Sequence, residues 1–220
     1  MVQPKTLRVL FEKTGKLQYI SHLDLLRTMQ TALRRAKVKM MYSEGFNPHM
    51  KINFALPLSI GIESVYEFMD IKTEGSVRAE DVKENLGKNL PDDMKIIDVY
   101  EAESKFTDIK YAAYTMYLDY GEESERAAEI GKRIFNNPLV VTKKTKKGEK
   151  DIDIQPMIHG VDVSFEYGCA LVKCVLCADS ENYLNPFYLT GALDKEVGFE
   201  AHHRKVLRTG AYFADDKLFK

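Results

Sequence analysis

The spacing of apolar residues predicts a definite series of strands and helices over the first hundred residues of the chain. Short apolar or alternating runs predict strands at residues 6–11, 38–42, 51–58, 67–72 and 94–100. Helical spacing predicts one helix that begins at Ser21 and a second over residues 77–90, which Pro91 ends. With the middle strands taken as one hairpin, the order is β-α-β-β-α-β, which predicts a split βαβ, ferredoxin-like unit.

The first helix has a defined start and an amphipathic surface. Ser21 and Asp24 have the spacing of a capping box, in which Ser21 accepts from the third helical amide and Asp24 reaches back. One face is apolar and consists of Leu25, Leu26, Met29, Ala32, Leu33 and Ala36. Arg27 and Arg34 fall roughly opposite this face and Arg35 falls on its flank, so the helix is predicted to turn arginines away from the core.

The second half of the chain repeats this order in part. The predicted strands are 113–120, 139–142, 151–157, 161–167, 170–178 and 205–213, and the predicted helices are 122–135 and a short one opened by Asn185 and Pro186. We therefore predict an α+β fold of two tandem ferredoxin-like (split βαβ) halves with antiparallel sheets. The halves are residues 1–104 and 111–220, with the boundary at 104–110.

The composition is that of an ordinary soluble domain. The 220 residues are 45% hydrophobic and 30% charged, with a formal net charge of −1. No apolar run approaches the roughly 20 residues that span a bilayer, and the N-terminus lacks the apolar core of a signal peptide. The three Cys residues form no disulfide framework. We therefore expect a cytoplasmic protein with no membrane partner.

The near-zero net charge hides an uneven distribution. Residues 1–51 contain ten Lys and Arg against three acidic residues, a net +7, which leaves −8 for the remainder. A basic segment on an acidic body indicates a surface that faces a polyanion, although an uneven solvated surface gives the same count.

The segment GFNPH, residues 45–49, lies between two predicted strands. Gly45 permits a positive φ and Asn47-Pro48 stiffens a turn, which a plain connection would also explain. A plain connection does not explain why Phe46, Asn47 and His49 cluster beside the basic Lys51. An aromatic ring that stacks on a base, polar groups that read base edges and cations that hold phosphates would explain it.

Two other motifs have unfavourable geometry for catalysis or metal binding. Cys169, Cys174 and Cys177 have the C-x4-C-x2-C spacing of a plant-type iron–sulfur loop, but a fourth Cys is missing. The surrounding alternation predicts a strand, on which Cys174 and Cys177 point to opposite faces, so we expect buried structural cysteines. Ser21, His22 and Asp24 spell a hydrolase triad, but at a helix start these side chains splay apart.

Basic residues also cluster in the second half. The segments 143–150 and 202–205 are interpreted as solvated surface or phosphate contacts. No Walker loop, dinucleotide fingerprint or HExxH motif occurs.

Three segments of the first half resemble a known family: FEKTGKLQYISHLDLLRTMQTALRRA at 11–36, YSEGFNPHMKINFALPLSIGIES at 42–64 and YEFMD at 66–70. They are similar to the radical-SAM-linked family of unassigned function, whose members stand beside or are fused behind radical SAM proteins. The resemblance implies a radical SAM partner and supplies no reaction. The C-x3-C-x2-C cluster loop of such partners is absent here. The predicted order of elements also resembles repeat-associated RNA endonucleases, at the level of the fold alone.

Together these features lead us to expect a non-catalytic accessory protein that binds structured RNA and presents it to a radical SAM partner. We expect no metal, cofactor or DNA. The predicted RNA-binding residues are Lys13, Lys16, Arg27, Arg34, Arg35, Phe46, Asn47, His49 and Lys51.

Two alternatives stay open. In the first, His22 and His49, with Asp24 and Glu44, form the acid/base or metal site of an RNA-processing enzyme. In the second, the chain is a protein-docking module that binds the radical SAM protein and does not touch RNA.

Overall fold

A computed structural model describes residues 3–145, 148–179 and 181–220. The chain forms two compact units: one runs to Phe106 and includes Lys220, and the other is Thr107–Phe219. No helix in the described ranges is both long enough and apolar enough to cross a bilayer.

The first unit has the element order that the apolar pattern predicts. Its elements are β1 (Lys5–Lys13), α1 (His22–Arg35), β2 (Ile52–Phe54), β3 (Ile62–Thr73), α2 (Ala79–Gly87) and β4 (Met94–Glu101). The strands lie in the order β4-β1-β3-β2, and every pair is antiparallel. The sequence β-α-β-β-α-β is that of a split βαβ arrangement.

The second unit repeats this strand order. Its elements are β5 (Tyr111–Asp119), α3 (Ser124–Ile134), β6 (Val140–Thr145), β7 (Gly148–Asp153), β8 (Ile158–Glu166), β9 (Cys169–Cys177), α4 (Phe187–Val197) and β10 (His203–Tyr212). The sheet runs β10-β5-β9-β8, again antiparallel, and β6 and β7 form a separate hairpin. The predicted α+β class with antiparallel sheets is confirmed.

The core of the first unit forms between the helices and one face of the sheet. From β1 it takes Leu7, Val9 and Phe11, which are fully buried, and α1 adds Met29 and Leu33, also fully buried. Burial of such a side chain stabilises the fold by roughly 1.5–3 kcal/mol. The apolar face predicted for α1 therefore does face the core.

A buried ion pair anchors the opposite face of β1. The Arg8 guanidinium is fully buried and donates to both carboxylate oxygens of Asp70, at 2.8 and 2.9 Å. It also donates to the carbonyls of Ser104 at 2.8 Å and Lys220 at 3.1 Å, and it lies 4.5 Å from the centroid of the Phe106 ring. These contacts hold the two ends of the unit on its first strand.

Three predicted elements are shorter than expected. In the predicted strand 38–42, only isolated bridges form: Met40 pairs with Thr73 at the end of β3, and Tyr42 pairs with Met50 across a local hairpin. The predicted strand 51–58 is reduced to Ile52–Phe54, ahead of a proline that offers no amide hydrogen. The predicted helix 77–90 is confined to Ala79–Gly87.

The cysteine segment is a strand, as predicted. Cys174 is buried, whereas Cys169 and Cys177 lie at positions of the opposite parity on β9 and are half-buried. Burial raises the pKa of the Cys174 thiol to about 12. The three thiols therefore lack the convergent arrangement of a cluster loop.

Candidate nucleic-acid interface

Helix α1 presents its basic residues to solvent. It begins at the predicted cap, where the Ser21 hydroxyl accepts from the amide of Asp24 at 3.2 Å. Arg27, Arg34 and Arg35 are all exposed, and Arg34 and Arg35 occupy the last turn, where cations complement the helix dipole.

The end of α1 turns sharply at Lys37. This residue has a φ of 54°, in the left-handed region that normally favours glycine. The Lys37 amide donates to the Arg34 carbonyl at 3.0 Å, and the Val38 amide donates to the Leu33 carbonyl at 3.1 Å. This pair of bonds is a Schellman motif, and it leads the chain past the start of α2.

A basic groove lies along α1 and α2. One part, of about 640 Å³, extends from Arg35 past Lys37 and Lys39 to α2. The adjoining part, of about 600 Å³, runs from Arg27 towards Lys88, and Arg35 and Asn89 line both parts. We call this surface the basic groove; among the described residues its charged lining is Arg27, Arg35, Lys37, Lys39, Arg78, Lys88 and one acid, Asp81.

Four of these cations form salt bridges on the surface. The pairs are Arg27–Asp24 at 3.2 Å, Lys39–Glu74 at 3.7 Å, Arg78–Glu80 at 3.6 Å and Lys88–Glu84 at 2.6 Å. Exposed pairs of this kind contribute only about 0–1 kcal/mol, so a phosphate can replace the carboxylate at little cost. Within the described ranges, Arg34, Arg35 and Lys37 form no salt bridge.

Residues 43–49, which we call the Phe46 loop, form a closed hairpin. The Ser43 amide donates to the His49 carbonyl at 2.9 Å, and the His49 amide donates to the Ser43 hydroxyl at 3.1 Å. The Ser43 hydroxyl also bonds with the His49 ring at Nδ1, at 2.8 Å. Gly45 has a φ of 114°, as the predicted positive φ requires. Phe46 and Asn47 lie exposed at the tip.

The base of the Phe46 loop is basic. Lys51 is exposed and follows the loop directly. Its amide donates to the Met41 carbonyl, and its carbonyl accepts from the amide of Lys72, both at 3.0 Å. Lys72 is also exposed. The structure thus brings together Lys51 and Lys72, and the sequence pattern did not single out Lys72.

Lys13 does not belong to the exposed basic set, which corrects the sequence prediction. It is the last residue of β1 and is only 3% exposed, and its ammonium donates to the Leu17 carbonyl at 2.9 Å. The alternation along β1 could have indicated this burial, because Lys13 has the same parity as the buried Val9 and Phe11. Lys16, in the turn that follows, is exposed as expected.

The two candidate catalytic histidines lie in different surroundings. His22 opens α1 and packs edge-on against Phe54, with ring centroids 5.2 Å apart. His49 is held by Ser43 in the Phe46 loop. Across the described ranges, no group of three or more His, Cys, Asp or Glu side chains is placed to hold a metal ion.

The hydroxyl of Ser21 donates directly to the Asp24 carboxylate at 2.7 Å, so no histidine lies between them and a triad is excluded. This bond is the main reason that the pKa of Asp24 is lowered, and the carboxylate stays ionised beside Arg27. Glu44, the remaining member of the proposed acid/base set, lies exposed in the Phe46 loop.

The basic segments of the second unit differ from the groove. Arg204 pairs with Asp194 at 2.8 Å and with Glu200 at 3.1 Å, and the Tyr120 hydroxyl donates to Asp194 at 2.8 Å. Arg204 therefore supports the fold of its own unit. In the segment 143–150, residues 146 and 147 lie outside the described ranges.

A family model described as an uncharacterized protein conserved in bacteria (DUF2344) matches residues 6–186, and the chain belongs to this family. The description names no reaction and no radical SAM protein. No curated protein matches the chain. A chain from a "Crystal Structure of a Cbf5-Nop10-Gar1 Complex" is similar at 10% identity with a TM-score of 0.47. The match covers 93% of this chain and 48% of that one, so this chain spans about half the neighbour's length. A likeness this low supports no inference about function.

Proposed function

We propose that this protein binds structured RNA along the basic groove and presents it to a radical SAM partner. The observation that carries the RNA part is the charge of the groove, in which six cations and one acid of the described residues line a continuous open surface. Lys and Arg side chains that neutralise phosphates supply most of the sequence-independent affinity of proteins for nucleic acid. The proposal of a radical SAM partner rests on the resemblance of residues 11–36, 42–64 and 66–70 to the radical-SAM-linked family.

The side chains that line the groove favour contacts with the phosphates and sugars of the RNA over contacts with its bases. Its polar lining beside the cations consists of short side chains, chiefly Thr28, Thr31, Ser76, Asn85 and Asn89. Such groups hydrogen-bond phosphates and sugars and fix register without carrying sequence information. The groove therefore holds the RNA, and discrimination between RNAs falls to neighbouring parts of the surface.

The test is RNA binding by the purified protein across a salt series. Arg27→Ala/Arg35→Ala removes two predicted phosphate contacts, so the slope of log affinity against log salt should fall by about 1.4–1.8. The matched control is Arg126→Ala/Arg133→Ala on α3, whose exposed arginines occupy comparable positions in the second unit. The control should leave the slope unchanged.

Two results would refute the RNA proposal. One is a wild-type protein that binds no RNA at low salt, and the other is a slope that responds equally to both pairs of substitutions. The partner part is tested by co-purification of a radical SAM protein with the wild-type chain and with Arg27→Ala/Arg35→Ala. Retention of the partner by both would separate docking from RNA binding, and failure of the wild type to retain one would remove the partner from the proposal.

A further inference from the structure

Phe46 is the most exposed large apolar side chain in the described part of the chain. Its relative exposure is 112%, above the 84% of Tyr167 and the 67% of Tyr19. Burying a Phe side chain is normally worth roughly 1.5–3 kcal/mol, and this fold leaves that contribution unused. A single exposed apolar residue needs no explanation by itself, so the order of the loop and the charges around the ring decide what Phe46 contacts.

The exposure of Phe46 does not come from a loose segment. Three hydrogen bonds between Ser43 and His49 close the Phe46 loop, and the bridge between Tyr42 and Met50 continues the pairing at its base. The loop that carries the ring is therefore ordered before any ligand arrives. Binding through a preorganised group avoids the entropy of ordering it.

The charge around the loop identifies the class of ligand. Lys51 and Lys72 lie at its base, and Lys39, whose backbone pairs with Glu74 just beyond β3, continues the cations into the basic groove. An apolar pocket of a partner protein would not require this row of cations. Nucleobases stack on aromatic rings while cations hold the adjoining phosphates, which is the usual recognition chemistry of unpaired RNA.

We infer that Phe46 stacks on an unpaired base of the RNA held in the basic groove, so that the substrate class is RNA with a single-stranded loop or bulge. This inference rests on the proposed function and adds a specificity that the groove alone does not supply. Bases in a continuous duplex are stacked on each other and offer no free face, so duplex RNA is bound by the groove alone.

The experiment compares two RNAs of equal length, a hairpin with an unpaired loop and a blunt duplex. Phe46→Ala should weaken binding of the hairpin about 10-fold, which corresponds to about 1.4 kcal/mol, and leave the duplex unchanged. The salt slope should not change, because no phosphate contact is removed. Phe46→Trp should retain hairpin affinity. The matched control is Tyr167→Ala, which removes an exposed aromatic residue in the β8–β9 turn of the second unit.

A photocrosslink locates the contact. With 5-iodouridine placed in the hairpin loop, irradiation of the wild-type complex should crosslink Phe46. Equal losses for hairpin and duplex, an unchanged hairpin affinity in Phe46→Ala, or a crosslink confined to other residues would overturn the inference while wild-type RNA binding stands. A wild-type protein that binds neither RNA would overturn the proposed function instead, and the inference with it.

Discussion

Replacement of Lys37 by Gly should raise stability and weaken RNA binding at the same time. Lys37 lies in the left-handed region, with a φ of 54°, directly after Ala36, the C-cap of α1. Its side chain lines the basic groove. The fold therefore keeps a cation at a position whose backbone favours glycine, and the two roles of the residue can be separated experimentally.

The gain in stability follows from the backbone. A left-handed residue with a Cβ costs roughly 1–2 kcal/mol, and glycine loses roughly 0.5–1 kcal/mol more entropy on folding than alanine. The difference favours Lys37→Gly by about 0.5–1 kcal/mol. For a chain of this size that corresponds to a rise in Tm of roughly 1–4 °C. Both hydrogen bonds of the Schellman motif come from backbone amides and are retained.

The loss in binding follows from charge. If the Lys37 ammonium contacts one phosphate, its removal should lower the salt slope by about 0.7–0.9. Lys37→Ala is the matched variant, because it removes the same charge and keeps the strained backbone. Its stability should stay within about 0.5 kcal/mol of wild type, and its salt slope should equal that of Lys37→Gly. Urea denaturation and RNA titration across a salt series measure the two quantities.

The two expected effects of Lys37→Gly, on stability and on RNA binding, can be refuted separately. A Lys37→Gly protein no more stable than Lys37→Ala would show that the left-handed backbone imposes no strain at the end of α1. A wild-type salt slope in both variants would show that the groove beside Lys37 does not contact phosphate. The second result would count against the proposed function, whereas the first concerns the fold alone.

Four further outcomes are expected. Arg8→Met leaves the Asp70 carboxylate, whose side chain is only 15% exposed, without its ion-pair partner and should cost about 3–5 kcal/mol in urea denaturation; a loss below about 1 kcal/mol would contradict the network around Arg8. Ser21→Ala removes the cap of α1 and should cost about 1 kcal/mol, with Ser21→Asp as the variant that retains it. Because burial raises the pKa of Cys174 to about 12, iodoacetamide at pH 8 should modify it only after unfolding. Modified Cys174 in the native protein, detected by mass spectrometry, would contradict this. Ser43→Ala should reduce the preference for hairpin RNA over duplex RNA that Phe46 confers, without changing the salt slope; an unchanged preference would show that the bonds between the Ser43 hydroxyl and His49 do not order the ring.

Much of the first unit was predictable because its signals are local. The start of α1 at Ser21 and its apolar face depend on residues within a few turns, and the structure reproduces both. The strands followed from alternation, although their ends did not. Phe46 lies exposed at the tip of its loop and outside the core, and its contact with RNA stays a prediction.

The basic groove could be predicted only in part. Arg27 and Arg35 were found from their helical positions, but Arg78 and Lys88 flank a different helix and carried no signal of their own. Their place beside α1 depends on how α2 packs, which is a contact between segments far apart in sequence. Lys13 was predicted to be exposed, but β1 extends past its apolar residues to Lys13 and buries the side chain.

The sequence by itself determined the order of elements, the α+β class and the excess of positive charge in residues 1–51, since periodicity and charge counts need no knowledge of packing. Only the tertiary structure decided which charges share a surface and which are buried. It also fixed the left-handed backbone at Lys37 and the closed loop that keeps Phe46 in water. These features arise from helix packing, strand length and hydrogen bonds across a hairpin, which depend on the whole unit and not on any one segment.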